Sequence, residues 1–175
     1  MVETRILTEA ACAISKLFSQ SNIALVFFGG WVSVLEGCQR ETKDVDCFVA
    51  CTKEVALTVL ETSGAIPISQ ARTDYLGVFW PTSHKIVLVE LFIGTFPNLH
   101  KFTNKTLNCG SRTMNVILGP QETVTIYVVD IPSLFRGKLH SAMSRKKSTD
   151  IQDLCFITTT YTGLFRAYQF MLRQD

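Results

Sequence analysis

Two carboxylates one residue apart, Asp44 and Asp46, open an apolar run that continues through Cys47, Phe48, Val49 and Ala50. Alternate residues of a strand share a face, so both side chains project to the same side. Like charges a few ångströms apart repel, and such a pair is costly unless a cation neutralises it. The stretch before them narrows the fold further. Residues 25–49 read LVFFGGWVSVLEGCQRETKDVDCFV. An apolar β-type run, Ile23 to Phe28, breaks at Gly29-Gly30. A short amphipathic segment and a polar turn around Arg40 to Lys43 then lead into the second strand. A Gly-Gly at a strand-to-helix junction frees backbone N–H groups where an anion is favoured. Oxygen donors suited to Mg²⁺ or Mn²⁺, next to a phosphate site, suggest a nucleoside triphosphate.

The remaining sequence expands on this without overturning it. Residues 4–19 carry Ile6, Leu7, Ala10, Ile14, Leu17 and Phe18 at helical spacing. Strands are expected at 22–28 and 44–50, with a helix of about 30–37 between them. A further helix is expected over Thr52 to Thr62, with Thr52 as N-cap and Gly64 past its end. Tyr75 to Trp80 and Lys85 to Ile93 read as a hairpin around Pro81-Thr82-Ser83-His84. Phe96 to Ser111 reads as a loop or excursion, Thr113–Leu118 and Val124–Val129 as strands, and everything from Pro132 as helix. This order argues for a mixed sheet with helices packed on it.

At 175 residues, 47% hydrophobic and 18% charged, the chain is expected to form one globular domain, a sheet-containing core over 1–130 with C-terminal helices over 131–175. A net charge of +2 supports no global claim about nucleic acid. Six cysteines lack C-x-x-C spacing, and no signal peptide or membrane-length run is visible. The expectation is a reducing, cytoplasmic setting with no membrane partner, in which Asn104-Lys105-Thr106 is an unused glycosylation triplet.

Two further stretches carry chemistry. In Ile86 to Ile93 seven of eight positions are apolar and Glu90 interrupts them. A carboxylate in such a run needs a partner, because desolvating it is expensive. That partner is a metal shared with Asp44 and Asp46, an arginine such as Arg40, or solvent at a sheet edge. The second stretch, 130–154, reads DIPSLFRGKLHSAMSRKKSTDIQDL. Leu134, Phe135, Leu139, Ala142 and Met143 form the apolar stripe of one helix. Lys138 borders the stripe and can carry its ammonium along apolar surface to a cleft, with Arg145 on the same side. Thr149-x-x-Gln152 resembles a capping box, placing Asp150 in a new helix's first turn and Asp153 one turn later. Arg136, Lys138, Arg145, Lys146 and Lys147 lie between Asp130 and Asp150 with no acid among them.

The pattern GG-x₉-R-x-T-x-D-V-D resembles the signature of the nucleotidyltransferase superfamily, the polymerase-β-like minimal fold. The resemblance implies an α/β (α+β) fold, a mixed sheet with flanking helices and a helical C-terminus. It implies nucleotide-binding positions at Gly29, Gly30, Arg40 and Thr42, and a metal set of Asp44, Asp46 and Glu90 holding Mg²⁺ or Mn²⁺. Glu90 stands where Asp is usual, leaving metal ligand and general base both open. K-L-x₅-R-K-K-x-x-D-I-x-D-L resembles the C-terminal motif of AbiEii-type nucleotidyltransferases. That likeness implies that Lys138, with Arg145, holds the triphosphate and that Asp150 or Asp153 assists catalysis. The implied reaction moves a nucleoside monophosphate from a triphosphate to a hydroxyl on tRNA or other RNA, a protein or a small molecule, releasing pyrophosphate. A catalytically inactive nucleotide-binding module, or an interaction protein on the same fold, is the alternative.

Overall fold

The computed structural model describes residues 2–94, 110–119 and 121–171. Most of the loop expected at Phe96 to Ser111, with the Asn104-Lys105-Thr106 triplet and Cys109, lies outside the described residues. The elements, in chain order, are α1 Val2–Gln20, β1 Leu25–Phe28, α2 Gly29–Leu35, β2 Asp44–Val49, α3 Lys53–Leu60, β3 Ile66–Pro67, β4 Tyr75–Pro81, β5 Ile86–Ile93, β6 Ser111–Gly119, β7 Glu122–Val129, α4 Ile131–Arg145, α5 Ser148–Thr160 and α6 Thr162–Met171. The strands form one mixed sheet in the order β3-β4-β5-β2-β1-β7-β6. β1 runs antiparallel to β2 and parallel to β7, and β2 runs parallel to β5. The architecture is therefore α+β, a seven-stranded mixed sheet with six described helices packed on it.

The two faces of the sheet differ in the way the period-two pattern requires. Val45, Cys47 and Val49 of β2, and Val87, Val89, Leu91 and Ile93 of β5, are buried on the rear face. α1 packs against β1, β2, β5, β6 and β7, and it buries Ile6, Leu7, Ala10, Ala11, Ile14 and Phe18 in the same core. On the front face Asp44, Asp46, Phe48, Leu88, Glu90 and Phe92 are only half-buried. Register places Phe28 beside Asp46, Asp46 beside Glu90, and Glu90 beside Gly77. The front face is thus a lateral row running from β1 to β4 with two carboxylates at its centre.

Local chemistry fixes the element ends. Thr52 accepts from the Val55 N–H at 3.4 Å and caps α3, and Gly64 beyond that helix takes a φ of +72°. Asp130 accepts from the Ser133 N–H at 2.9 Å and caps α4. α4 stops at Lys146, a non-glycine residue in the left-handed region with φ +53°. The hairpin turn after β4 is tied to α1 by Glu9, which accepts from Ser83 N and Oγ at 2.7 Å each, and by the Lys85–Glu3 pair at 2.9 Å.

Three expectations are corrected. α5 begins at Ser148 with Lys147 at its N-cap and no side-chain cap bond, so Thr149 lies inside the first turn and forms no capping box. Of the expected stripe on α4, Leu139 is half-exposed and Met143 is 73% exposed. The buried side of that helix is Ile131, Leu134 and Lys138 instead. The short β3 and the break at Tyr161 between α5 and α6 carry no signal in the hydrophobic pattern. No described helix is long and apolar enough to cross a membrane.

The rear core sets the stability. Ile14 is fully buried between α1 and the sheet, and truncating such a side chain loses transfer free energy and leaves a cavity. Ile14→Ala should cost ~2–5 kcal/mol, seen as a lower urea midpoint at unchanged slope.

Candidate active site

The front-face row forms the floor of a cleft of about 600 Å³, lined by Phe28, Gly29, Asp46, Phe48, Tyr75, Glu90 and Phe92. Its opposite wall is α4, which contributes Ser133, Gly137, Lys138, Ser141, Ser144 and Arg145. Gly29, at φ +78°, ends β1 and starts α2. A Cβ there would fall inside the Asp46 carboxylate, so only glycine lets that acid lie against the backbone. Gly30 does a different job. A Cβ on it would meet the Arg40 guanidinium and lie 2.8 Å from Thr42 Oγ1. The second glycine therefore makes room for Arg40 and Thr42 behind the cleft wall, and neither of those two lines the cleft.

Asp46 is the electrostatic centre of the floor. Burial, then the neighbouring Asp44 and Glu90 carboxylates, push its pKa up to about 8, and a hydrogen bond with Glu90 adds to the effect. Lys138 pulls in the opposite direction. Asp44, at the edge of the site, accepts from Thr42 Oγ1 at 3.0 Å. Glu90 accepts a short hydrogen bond from the Tyr75 hydroxyl. Burial first, and then that bond, raises the Tyr75 pKa. Arg40, the arginine considered as a partner for Glu90, instead faces Asp153.

Among the described residues no group of three or more acidic, histidine or cysteine side chains is gathered as a closed metal cage. The chemistry of the donors still fits a hard divalent cation. Asp46 and Glu90 are oxygen donors side by side on neighbouring strands, and after burial the Asp44 and Glu90 charges add to the upward shift of the Asp46 pKa.

A second charged group lies behind Lys138. Its ammonium is 2.6 Å from Asp153 Oδ2 and 3.6 Å from Asp150 Oδ1, and the residue is only 6% exposed. Asp153, fully buried, also takes two bonds from Arg40, Nε to Oδ1 at 2.7 Å and Nη2 to Oδ2 at 3.0 Å. Arg145 Nη2 lies 3.2 Å from both Asp150 oxygens. Asp150 and Asp153 do not line the cleft; they hold the cations that do. Cys38 adjoins this group, and burial followed by the Asp153 charge raises its thiol to about 11.

The structure thus brings Gly29, Asp46, Glu90, Lys138 and Arg145 to one cleft, with Asp44 at its edge. It places Gly30, Arg40, Thr42, Asp150 and Asp153 in the layer behind. The sequence reading missed the aromatic part of the floor. Phe48 and Phe92 each follow a site acid by two residues and so share its face, a spacing that could have found them. Tyr75 is found only from the β4–β5 register, which pairs it with Phe92.

No family model matches the chain, and no curated protein matches it in sequence. Solved structures do share its fold. An antigenic nucleotidyltransferase-like protein from Paracoccidioides brasiliensis aligns with TM-score 0.62 at 18% identity, over 91% of this chain and 77% of that one. The antibiotic-resistance factor ANT(2'')-Ia aligns with TM-score 0.59 at 11% identity, over 98% and 97%. The lincosamide antibiotic adenylyltransferase LnuA, solved with lincomycin bound, aligns with TM-score 0.53 at 17% identity, over 83% and 92%. The likeness defines a nucleotidyltransferase-like fold.

The charges set the outcome of three substitutions. The folded-state Asp46 pKa lies above its unfolded value, so the native state binds the extra proton between about pH 4 and about pH 8. In metal-free buffer this group's contribution to stability is therefore present at low pH and lost as pH rises through that window. Asp46→Asn should flatten the decline and raise stability at pH 8, measured by urea unfolding in EDTA at a series of pH values. Asp153→Ala should cost ~3–5 kcal/mol, because it leaves Arg40 and Lys138 buried with a partner removed. Arg145→Ala, removing a half-exposed cation, should cost under ~1 kcal/mol by the same assay.

Proposed function

We propose that this protein transfers a nucleoside monophosphate from a nucleoside triphosphate to a hydroxyl acceptor. One observation carries the proposal: two carboxylates side by side on neighbouring strands, Asp46 and Glu90, lie on the floor of a cleft whose far wall presents Lys138. The nucleotidyltransferase-like fold of the neighbours supports it. Asp44, Asp46 and Glu90 would hold Mg²⁺ or Mn²⁺, which when bound neutralises charge on the phosphoryl oxygens.

In this chemistry the α-phosphorus sits above the acid pair. Gly29, with no side chain, lets the Asp46 carboxylate lie against the backbone at the start of α2, beside the phosphates. Lys138, backed by Arg145, faces the departing phosphates. The acceptor oxygen forms a new bond to the α-phosphorus as the α–β bridging P–O bond breaks, and pyrophosphate leaves with that electron pair. The hydroxyl proton passes to the Glu90 carboxylate. Asp150 and Asp153 assist from behind by orienting Lys138, Arg145 and Arg40, and Thr42 orients Asp44. Residues 1–175 act as one domain, and the free thiols of Cys12, Cys38, Cys47, Cys51 and Cys155 suit a reducing cytoplasm. The C-terminal motif's likeness to AbiEii-type enzymes favours an RNA acceptor, whereas the antibiotic-directed neighbours favour a small one.

The test is incubation with each α-labelled triphosphate, Mg²⁺ and acceptor pools of RNA, protein and small metabolites. Glu90→Gln should lower transfer by about 10²–10⁴-fold while apo stability holds. Lys138→Met should weaken triphosphate binding at low and high salt alike, because its ammonium is shielded from bulk ions. If no triphosphate raises the melting temperature in Mg²⁺, and Asp46→Asn changes nothing in that assay, transfer is excluded.

A further inference from the structure

Beyond the acids, the cleft floor is aromatic. Phe28 and Phe48 stack with centroids 4.1 Å apart and an interplanar angle of 16°. Phe92 meets Phe28, Phe48 and Tyr75 edge-on, at 5.2, 6.1 and 5.4 Å. Arg72 lies 5.2 Å over the Tyr75 ring. All these residues line the cleft. Four half-buried rings open into this one cleft; Phe28 and Phe48 also pack against the core, and Tyr75 and Phe92 extend the aromatic floor toward β4.

Strand order says which substrate meets the rings. The lateral row runs Gly29 at the end of β1, Asp46 on β2, Glu90 on β5, and then β4. Lys138, the cation facing the phosphates, is close enough to Asp46 to lower its pKa. The leaving pyrophosphate thus belongs to the β1 and α4 side. In-line displacement puts the entering oxygen opposite the leaving one. The entering hydroxyl therefore approaches from the β5–β4 side, where Glu90 is held by Tyr75 and the next residue on the same face is Phe92.

Resting on the transfer chemistry proposed above, we infer that Tyr75, Phe92 and Phe48 form the acceptor subsite, and that the acceptor is a small molecule carrying its hydroxyl on or beside a flat aromatic ring. Charge agrees with this. Arg72, the cation at the rim, is already paired with Asp74 through two bonds of 2.9 Å, so the shelf offers ring faces and little net positive charge. A polynucleotide backbone would find no unpaired cation on this shelf, since Arg72 is already bonded to Asp74. A flat ring gains stacking with aromatic partners beyond its area burial, and a 600 Å³ cleft is of small-ligand size.

The experiment uses the full chain with Mg²⁺ and four probes: 2-naphthol, its saturated counterpart 2-decalol, kanamycin A and unfractionated tRNA. Affinities are read by saturation-transfer NMR and calorimetry, and triphosphate binding by melting shift, for the wild type, Phe92→Leu and Phe48→Leu. Leucine keeps apolar volume and removes the ring face, and the two variants guard against one failing to fold. The expected result is that 2-naphthol binds at least tenfold tighter than 2-decalol. Each leucine variant should lose at least fivefold toward 2-naphthol with its triphosphate shift unaltered. Equal binding of 2-decalol, or leucine variants that hold 2-naphthol normally, overturns the assignment. So does a parallel loss of triphosphate binding, which would put the nucleobase on the shelf. Transfer to tRNA or kanamycin A that ignores both substitutions overturns it as well. A wild type with no Mg²⁺-dependent triphosphate shift overturns transfer and acceptor site together; a normal shift with any of the other failures overturns the acceptor site alone.

Discussion

The Asp153 carboxylate is the contact on which the site depends. It is fully buried and lies between Arg40, from the polar turn before β2, and Lys138, from the middle of α4. The cleft has two walls from distant parts of the chain, and this one carboxylate joins them. Three cations, Arg40, Lys138 and Arg145, face two carboxylates, Asp150 and Asp153, which leaves one positive charge. Buried ion pairs of this kind add little net stability over an apolar core, but removing one member strands the other. Their contribution here is geometric, holding an ammonium at the cleft wall that would otherwise be drawn to solvent.

The same charges bear on whether the floor would take up a cation, as the proposed function requires. Asp46 and Glu90 share a hydrogen bond, and the buried Asp46 is pushed toward its protonated form. The single surplus charge behind Lys138 roughly offsets one ionised carboxylate of the pair. Under the proposed transfer, a triphosphate would bring several negative charges to a nearly neutral cleft and would be held best when accompanied by divalent cations. Hard oxygen donors on the floor and a shielded ammonium on the wall are complementary parts of one arrangement.

Much of this could be read in the chain because it depends on local period. The i, i+2 spacing of Asp44 and Asp46 put them on one face, and Glu90 in an apolar run marked β5 as a site strand before its register with Asp46 was seen. Gly29 needed a positive φ beside a carboxylate, which a Gly-Gly break announces. The rest was hidden because it depends on contacts between residues far apart. Arg40 and Asp153 are 113 positions apart, so the carboxylates of α5 could be seen as site acids but not as partners of the site's cations. The sequence pattern alone does not show that the absent side chain of Gly30 makes room for Arg40 and Thr42. Leu139 and Met143 followed a helical stripe that tertiary packing left unused, because Lys138 turned the buried side of α4 toward the acids.

That division bears on how such a site can change its substrate. The positions of Asp46 and Glu90 are over-determined, by Gly29 on one side, Tyr75 on the other and the strand ladder between them. A substitution there disturbs the phosphoryl centre itself. Phe48 and Phe92 lie one pleat further along the same strands and line the same cleft. A change of ring at those positions alters what is recognised while the ladder that aligns the carboxylates stays intact. If the proposed transfer and acceptor site hold, acceptor choice and transfer chemistry would be separable on this sheet by a shift of two residues, the smallest step that keeps a side chain on the same face.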